Sequence, residues 1–153
     1  MNSDHFLMGL AIEEAEKAYS LAEVPVGAVL VDAAGRVLAR AHNLPVASGD
    51  PTAHAEILAI RAASASLGNY RLPGTVLYAT LEPCPMCVGA MLHARVSRLV
   101  FGAWDPRSGA AGSVVDLTRV ASFNHYIGVS GGVRADECSV ILKKFFSERR
   151  TVK

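Results

Sequence analysis

The chain has 153 residues, about half of them apolar, and its 15 Lys and Arg nearly balance its 14 Asp and Glu. This length predicts a single domain over residues 1–153 and excludes two ordinary domains, and the apolar half can form a core without disulfides. The near-zero net charge excludes a uniformly basic nucleic-acid-binding protein, so any basic patch must be local.

The apolar pattern predicts helices and strands that alternate along most of the chain. In chain order, the predicted elements are a helix at 4–21, strands at 24–31 and 37–42, a helix at 53–66 capped by Asp50 or Thr52, a strand at 75–80, a helix at 85–94, a strand at 96–103, a short helix at 114–120, a strand at 126–129 and a helix at 135–150. Residues 43–51 and 105–112 are predicted loops. The first two strands form a hairpin and the later strands are joined through helices, which predicts an α/β fold with a mixed, roughly five-stranded sheet.

The three cysteines favour a reducing compartment over a secreted disulfide framework. Cys84 and Cys87 form a Cys-x-x-Cys pair, and Cys138 lies far downstream among apolar helix residues that indicate a core position. The N-terminal residues carry an acid and no basic segment, and no apolar run is long enough to span a membrane. We therefore expect a soluble cytoplasmic domain without a membrane partner.

Two short segments contain the chemistry: His54-Ala-Glu56 and Pro83-Cys84-Pro-Met-Cys87. A catalytic zinc site uses three protein ligands and one water molecule, and His54, Cys84 and Cys87 supply three ligands. The two sulfurs lie on one face of a helix start, where the helix dipole favours thiolates. Because His54 begins another predicted helix, two helix N-termini can meet at one ion.

Glu56 is predicted to transfer protons and not to serve as a fourth ligand. It lies two residues beyond His54, about 200° around a regular helix. Two thiolates and a neutral imidazole cancel the charge of zinc, so its water is less acidic than in a site of three histidines. A nearby base is then needed, and Glu56 can return the proton to a ring nitrogen and to a leaving amine.

A structural zinc knuckle and a redox pair are the alternatives for the Cys-x-x-Cys pair. A structural zinc site would need a fourth protein ligand, for which Cys138 is the only spare cysteine. A redox pair would give no role to His54 and Glu56. The two segments together form the signature of zinc-dependent nucleobase deaminases.

The chain closely resembles the bacterial tRNA-specific adenosine deaminases, which convert the wobble adenosine of an anticodon to inosine. The stretches that carry the resemblance are EVPVGAVL (23–30), DPTAHAEI (50–57), NYRL (69–72), YATLEPCPMC (78–87), FGA (101–103), GAAGS (109–113) and ADEC (135–138). The core is shared with free-base and nucleotide deaminases. The stretches after residue 100, with Phe145-Phe146 and Arg149-Arg150, look more like the tRNA enzymes.

This resemblance implies a cytidine-deaminase-like fold, a three-layer α/β/α sandwich, in a homodimer whose subunits shape each other's pockets. It implies one zinc ion per chain, held by His54, Cys84 and Cys87, with Glu56 as proton shuttle. Zinc-bound hydroxide is expected to attack C6 of adenosine in a splayed-out nucleotide of a tRNA anticodon stem-loop, after which ammonia leaves.

Substrate contacts follow from the same resemblance. Asn43 matches the family's base-contacting asparagine, although by itself it is typical of a loop turn. Asp105 matches a loop acid near the flanking nucleotide, with a solvated turn residue as the alternative, and Arg107 in the same loop is a predicted RNA contact. Arg149 and Arg150 are predicted RNA contacts as well.

The C-terminal segment is basic, and its members are Lys143, Lys144, Arg149, Arg150 and Lys153. These charges either hold phosphates or complement a helix C-terminus. Trp104 and Tyr126 depart from the family pattern, since basic residues are common at both positions. Trp104 either stacks on a base or packs in a dimer interface.

Two other functions remain open. One is a deaminase of free guanine, cytosine or a nucleoside, which would release ammonia from small substrates. The other is a non-catalytic RNA-binding or assembly subunit stabilised by zinc, which would not need the carboxylate of Glu56.

Overall fold

A computed structural model describes residues 3–151. Its elements in chain order are α1 (Asp4–Ser20), β1 (Gly27–Val31), β2 (Val37–His42), α2 (Pro45–Ser48), α3 (Ala55–Leu67), β3 (Val76–Leu81), α4 (Pro85–Ala94), β4 (Arg98–Ala103), β5 (Gly128–Ser130) and α5 (Ala135–Thr151). Within this range, no helix is both long enough and apolar enough to cross a membrane.

The five strands form one mixed sheet in the order β2-β1-β3-β4-β5. β1 is antiparallel to both β2 and β3, whereas β3, β4 and β5 run parallel. β1 and β2 form the predicted hairpin, and α4 is the crossover between β3 and β4. The predicted mixed five-stranded sheet is confirmed.

Helices cover both faces of the sheet, which confirms the three-layer α/β/α architecture. Leu30 packs on one face in a cluster that includes Met91 of α4. Its neighbour Val29 packs on the other face in a cluster with Met8 of α1 and Cys138 of α5. Successive strand residues point to opposite faces, so each buried strand contributes to both cores.

The start of β1 lies so close to α1 that only glycine fits at position 27. A Cβ atom on Gly27 would lie 2.0 Å from Ala11 O and 2.6 Å from Ala15 N. The Gly27 amide donates to Thr80 Oγ1 at 3.1 Å, which joins the start of β1 to the end of β3. At this edge the carboxyl ends of β3 and β4 lead into the segments that carry the site, as is common in open α/β sheets.

Two sequence-based predictions are wrong for a shared reason. The stretch at 114–120 is not a helix, because Asp116 Oδ1 accepts a hydrogen bond from Thr118 N at 3.0 Å and holds a local turn. Neither Asp50 nor Thr52 caps the next helix: Asp50 Oδ1 accepts from Thr52 N at 2.8 Å, and the helix begins later, at Ala55, with His54 as its N-cap. Short polar side chains that bind nearby backbone compete with helix formation.

The other differences concern boundaries. The predicted loop at 43–51 contains the one-turn helix α2, and the last strand is displaced to Gly128–Ser130. β1 starts at Gly27 because Val26 N donates to Val24 O at 2.8 Å, a tight turn around Pro25 that is incompatible with strand pairing.

Candidate functional site

Two helix N-termini meet at the edge of the sheet where β3 ends. His54 is the N-cap residue of α3, and Cys84 is the N-cap residue of α4. Pro85 starts α4 because its fixed φ and missing N–H suit the first helical position, and Cys87 follows within the same turn. The imidazole and both sulfurs therefore project from helix starts towards one point.

The distances among these three side chains fit a zinc ion. His54 Nδ1 lies 3.6 Å from Cys84 Sγ and 3.5 Å from Cys87 Sγ. Tetrahedral zinc with a Zn–S distance of about 2.3 Å and a Zn–N distance of about 2.0–2.1 Å holds nitrogen and sulfur roughly 3.6 Å apart. Among the described residues the group has no fourth member, and its ligand atoms all lie within 4.8 Å of one another. A tetrahedral ion held by these three atoms would therefore keep one position for water or substrate.

The two thiols cannot both ionise easily without a cation. A hydrogen bond from Cys87 lowers the pKa of the Cys84 thiol to about 5, and the charge of His54 acts in the same direction. The bond to Cys84 and burial raise the pKa of Cys87. A divalent cation between the sulfurs would stabilise both thiolates and release the remaining proton.

Glu56 lies in the first turn of α3 and is only 4% exposed. Burial raises the pKa of its carboxyl to about 7, and the negative charge of Cys84 adds to the effect. A carboxyl group with this pKa can both accept and return a proton at neutral pH. Because it lies beside the sulfur of Cys87 and outside the ligand group, its position suits a base next to the ion.

Comparisons with known proteins show the family to which the chain belongs. Residues 1–103 match the family model of the cytidine and deoxycytidylate deaminase zinc-binding region. The chain belongs to this deaminase family. It is therefore an enzyme that hydrolyses a C–N bond, and the predicted family resemblance is confirmed.

Several named proteins are similar to the chain over most of its length. The tRNA-specific adenosine deaminase of Haemophilus influenzae is 49% identical over 150 residues, which are 98% of this chain and 87% of that protein. A solved tRNA:A34 deaminase, studied for A-to-I editing at the wobble position, superposes with a TM-score of 0.86 at 47% identity and covers 90% of this chain and 99% of that chain. The guanine deaminase of Nitrosomonas europaea superposes with a TM-score of 0.81 at 25% identity, over 96% of this chain and 86% of that chain.

In this deaminase, Asn43 lies against the helix start that carries the histidine. Its Oδ1 accepts a hydrogen bond from Ala55 N at 2.8 Å, in a buried position. The bond satisfies one of the amides that a helix N-terminus leaves unpaired. Asn43 thereby fixes the loop after β2 to the residue that follows His54, which places it at the site.

We expect Asn43→Ala to lower the free energy of unfolding by about 1–2 kcal/mol, because the buried Ala55 amide loses its acceptor. Urea unfolding of the zinc-loaded protein measures this loss. Asn43→Asp is the matched control, since it keeps an acceptor oxygen and should lose less. Equal stability of the Ala variant and the wild type would show that this bond is unimportant.

The predicted contacts on the loop after β4 lie at the same edge of the sheet. Asp105 Oδ1 accepts from Arg107 N and Oδ2 from Ser108 Oγ, both at 2.9 Å, so the carboxylate holds its own turn. The side chain of Arg107 is exposed. Trp104 is 56% exposed, and its ring packs edge-on against Phe101 with 5.9 Å between ring centroids.

The structure places Arg149 and Arg150 at the end of α5, in the layer of α1 and α5, whereas His54, Cys84 and Cys87 lie at the starts of α3 and α4 in the other layer. The guanidinium carbon of Arg149 lies 3.6 Å from the centroid of the Phe145 ring. That ring also packs edge-on against Tyr19 near the end of α1. Arg150 is exposed, and Lys153 lies outside the described residues.

Sequence reasoning missed two buried carboxylates next to the site. Glu23 accepts hydrogen bonds from Val46 N at 3.1 Å and Ala47 N at 2.7 Å and so holds α2 in place. Glu82 receives several bonds from the loop after β4. A weak signal was present in the sequence: Glu82 directly precedes Pro83 and Glu23 lies two residues before Pro25, each next to an apolar strand segment.

Proposed function

We propose that this deaminase hydrolyses adenosine to inosine at the wobble position of tRNA, with zinc as cofactor. The observation that carries the proposal is the imidazole nitrogen of His54 at 3.5–3.6 Å from two cysteine sulfurs, with the buried Glu56 on the same helix start. The names of its relatives support tRNA as the substrate.

His54, Cys84 and Cys87 would hold the ion, since their donor atoms and spacing match a three-ligand site. When bound, zinc would lower the pKa of a water molecule and so supply a nucleophile at neutral pH. The chain itself shields one side of the site, because Cys87 and Glu56 are buried while His54 and Cys84 are partly exposed. A site that excludes bulk water strengthens each electrostatic interaction within it.

Glu56 moves the protons. Its carboxylate accepts a proton from the attacking water and delivers it to N1 of the adenine as oxygen bonds to C6. A second proton passes from the hydroxyl through Glu56 to the amino group, the C6–N bond breaks, and ammonia leaves. One water molecule is consumed, and inosine remains.

The RNA must present a splayed-out nucleotide, because C6 cannot be reached within a stacked helix. We propose that Asn43 contacts the reacting base and that Asp105 and Arg107 contact the neighbouring nucleotides. Arg149 and Arg150 would meet phosphates further along the stem-loop. Their placement at the end of α5, beside the end of α1, is compatible with this role.

We further propose a homodimer of single-domain chains acting in the cytoplasm. A depression between α3 and α4 is lined by Ile57, Ile60, Ala90 and Tyr70, and 73% of Tyr70 is exposed. Apolar surface on the two helices that contain the ligands suits coverage by a second subunit. A reducing compartment would keep the cysteines free for the metal.

The decisive experiment uses a synthetic anticodon stem-loop with adenosine at the wobble position. We expect zinc-loaded protein to convert that adenosine to inosine, read by mass spectrometry of nucleosides. A stem-loop with the adenosine paired within the stem is the control and should stay unmodified. Absence of inosine in the loop substrate would disprove the proposed function.

A guanine deaminase is the second candidate, supported by the superposition on the guanine deaminase of Nitrosomonas europaea at a TM-score of 0.81. Ammonia release from free guanine, without inosine in the stem-loop, would favour it. The higher identity to a tRNA:A34 deaminase, 47% against 25%, favours the RNA substrate.

A further inference from the structure

The loop that follows β4 is hydrogen-bonded to the carboxylate of Glu82. Glu82 is 2% exposed and lies between β3 and α4. Its oxygens accept hydrogen bonds from the backbone amides of Asp105, Ala111 and Ser113, each at 3.0 Å. The hydroxyl of Ser113 donates a further short hydrogen bond. Hydrogen bonds to a buried anion are stronger than neutral ones, so the loop is held mainly through this one side chain.

The loop backbone closes around this carboxylate without spare room. A Cβ atom on Gly109 would lie 2.4–2.5 Å from the carboxylate carbon and both oxygens of Glu82. The next residue, Ala110, donates its N–H to Pro83 O at 2.8 Å. Pro83 precedes the ligand Cys84, so the loop is hydrogen-bonded directly to the segment that carries a sulfur ligand.

The main chain of Glu82 fixes the same junction. Its N–H donates to Ala103 O at 2.8 Å, which aligns the ends of β3 and β4. From this point β3 leads to Cys84, whereas β4 leads to Trp104 and Asp105. The loop can therefore be displaced relative to the metal ligands only if the bonds to Glu82 break.

We propose that Glu82 is a positioning residue that fixes residues 105–113 relative to the zinc ligands and so sets how tightly the enzyme holds RNA beside the reacting base. Glu82 is buried and acts through the loop that carries Asp105 and Arg107. The inference rests on the proposed function, because those two residues are RNA contacts there. Since the ligands and Glu56 stay in place, its loss should weaken substrate binding more than the chemical step.

The test compares zinc-loaded Glu82→Gln with the wild type on the anticodon stem-loop. Glutamine keeps the size of the side chain but turns an NH2 group towards amide donors. We expect KM to rise about tenfold, the scale of one lost charge-assisted bond, while kcat changes by less than about twofold and zinc content is unchanged. Ser113→Ala removes only the hydroxyl donor and should raise KM by about threefold. It tests the same proposal if Glu82→Gln does not fold.

Asp32→Asn is the matched control. Asp32 Oδ1 also accepts two backbone amides, those of Ala34 at 3.0 Å and Arg36 at 2.9 Å, but in the β1–β2 turn at the opposite end of the sheet. The KM of the Asp32→Asn enzyme should equal that of the wild type. A fall in kcat with unchanged KM, or loss of zinc from Glu82→Gln, would overturn the proposal.

Hydrogen exchange separates this proposal from the proposed function. In Glu82→Gln the amides of Asp105, Ala111 and Ser113 should exchange at least about tenfold faster than in the wild type, while amides within α3 keep their rates. If wild-type protein makes no inosine, the proposed function fails, but this measurement still tests whether Glu82 holds the loop. Unchanged exchange at all three amides would disprove the positioning role.

Discussion

Replacing Glu56 with Ala is expected to abolish measurable deamination while one zinc ion per chain remains bound. The proposed ligands His54, Cys84 and Cys87 are untouched, but in the proposed mechanism the proton from water would have no acceptor and the leaving amine would have no donor. General acid–base catalysis contributes about 10²–10⁴-fold, so kcat should fall by at least that factor. Inosine formation and metal content, measured on the same sample, check both parts of the expectation.

Glu56→Gln gives a sharper version of the same experiment, since it keeps the shape of the side chain and removes its basicity. It should be almost as inactive as Glu56→Ala. Glu16→Ala is the control: Glu16 is an exposed acid on α1, in the opposite layer. Full activity of either variant at position 56 would remove the proton-transfer role.

Replacing Cys87 with Ala is expected to remove zinc and, with it, all turnover. Only His54 and Cys84 would remain as ligands, and two protein ligands do not hold a catalytic zinc ion firmly. The loss should show as less than one zinc ion per chain after dialysis, measured by elemental analysis. Thermal unfolding of the variant should no longer respond to added zinc, because the stabilisation of the folded state by a bound metal disappears.

Cys138→Ala is the matched control for the metal experiment. Cys138 is a buried thiol as well, but it packs against Gly102 in the layer of α5, on the other side of the sheet. This variant should keep one zinc ion per chain. Zinc retention in Cys87→Ala, or zinc loss in Cys138→Ala, would contradict the ligand set.

The grouping of His54, Cys84 and Cys87, which the structure shows, could be predicted from the sequence because the spacings involved are local. A three-residue spacing at a helix start places Cys84 and Cys87 on one face whatever the fold around them. Glu56 lies only two residues after His54, so a helix with His54 at its N-terminus also brings Glu56 close to the imidazole. The order of helices and strands could be predicted for a similar reason, because the spacing of hydrophobic residues along the sequence indicates each element without any tertiary contact.

Sequence-based predictions of helix boundaries were wrong where a short polar side chain binds the backbone close to it in the sequence. Asp116 and Asp50 hold turns within two residues of themselves, so the helix expected at 114–120 is missing and α3 begins at Ala55. Asn43, typical of a loop turn by itself, makes its buried bond to an amide twelve residues away. The roles of the zinc ligands and of Glu56, the RNA contacts and the dimer stay predictions.

The sequence by itself indicated which groups are suited to bind zinc and which carboxylate is suited to move a proton, because those properties belong to residue types at short spacings. Only the tertiary structure decided that the N-termini of α3 and α4 meet at one point, since this depends on both helices packing on the same face of the sheet. It alone also revealed Glu82 as the anchor of residues 105–113. The donors to that carboxylate come from 23 to 31 residues downstream, and no local propensity encodes a pairing over such a distance.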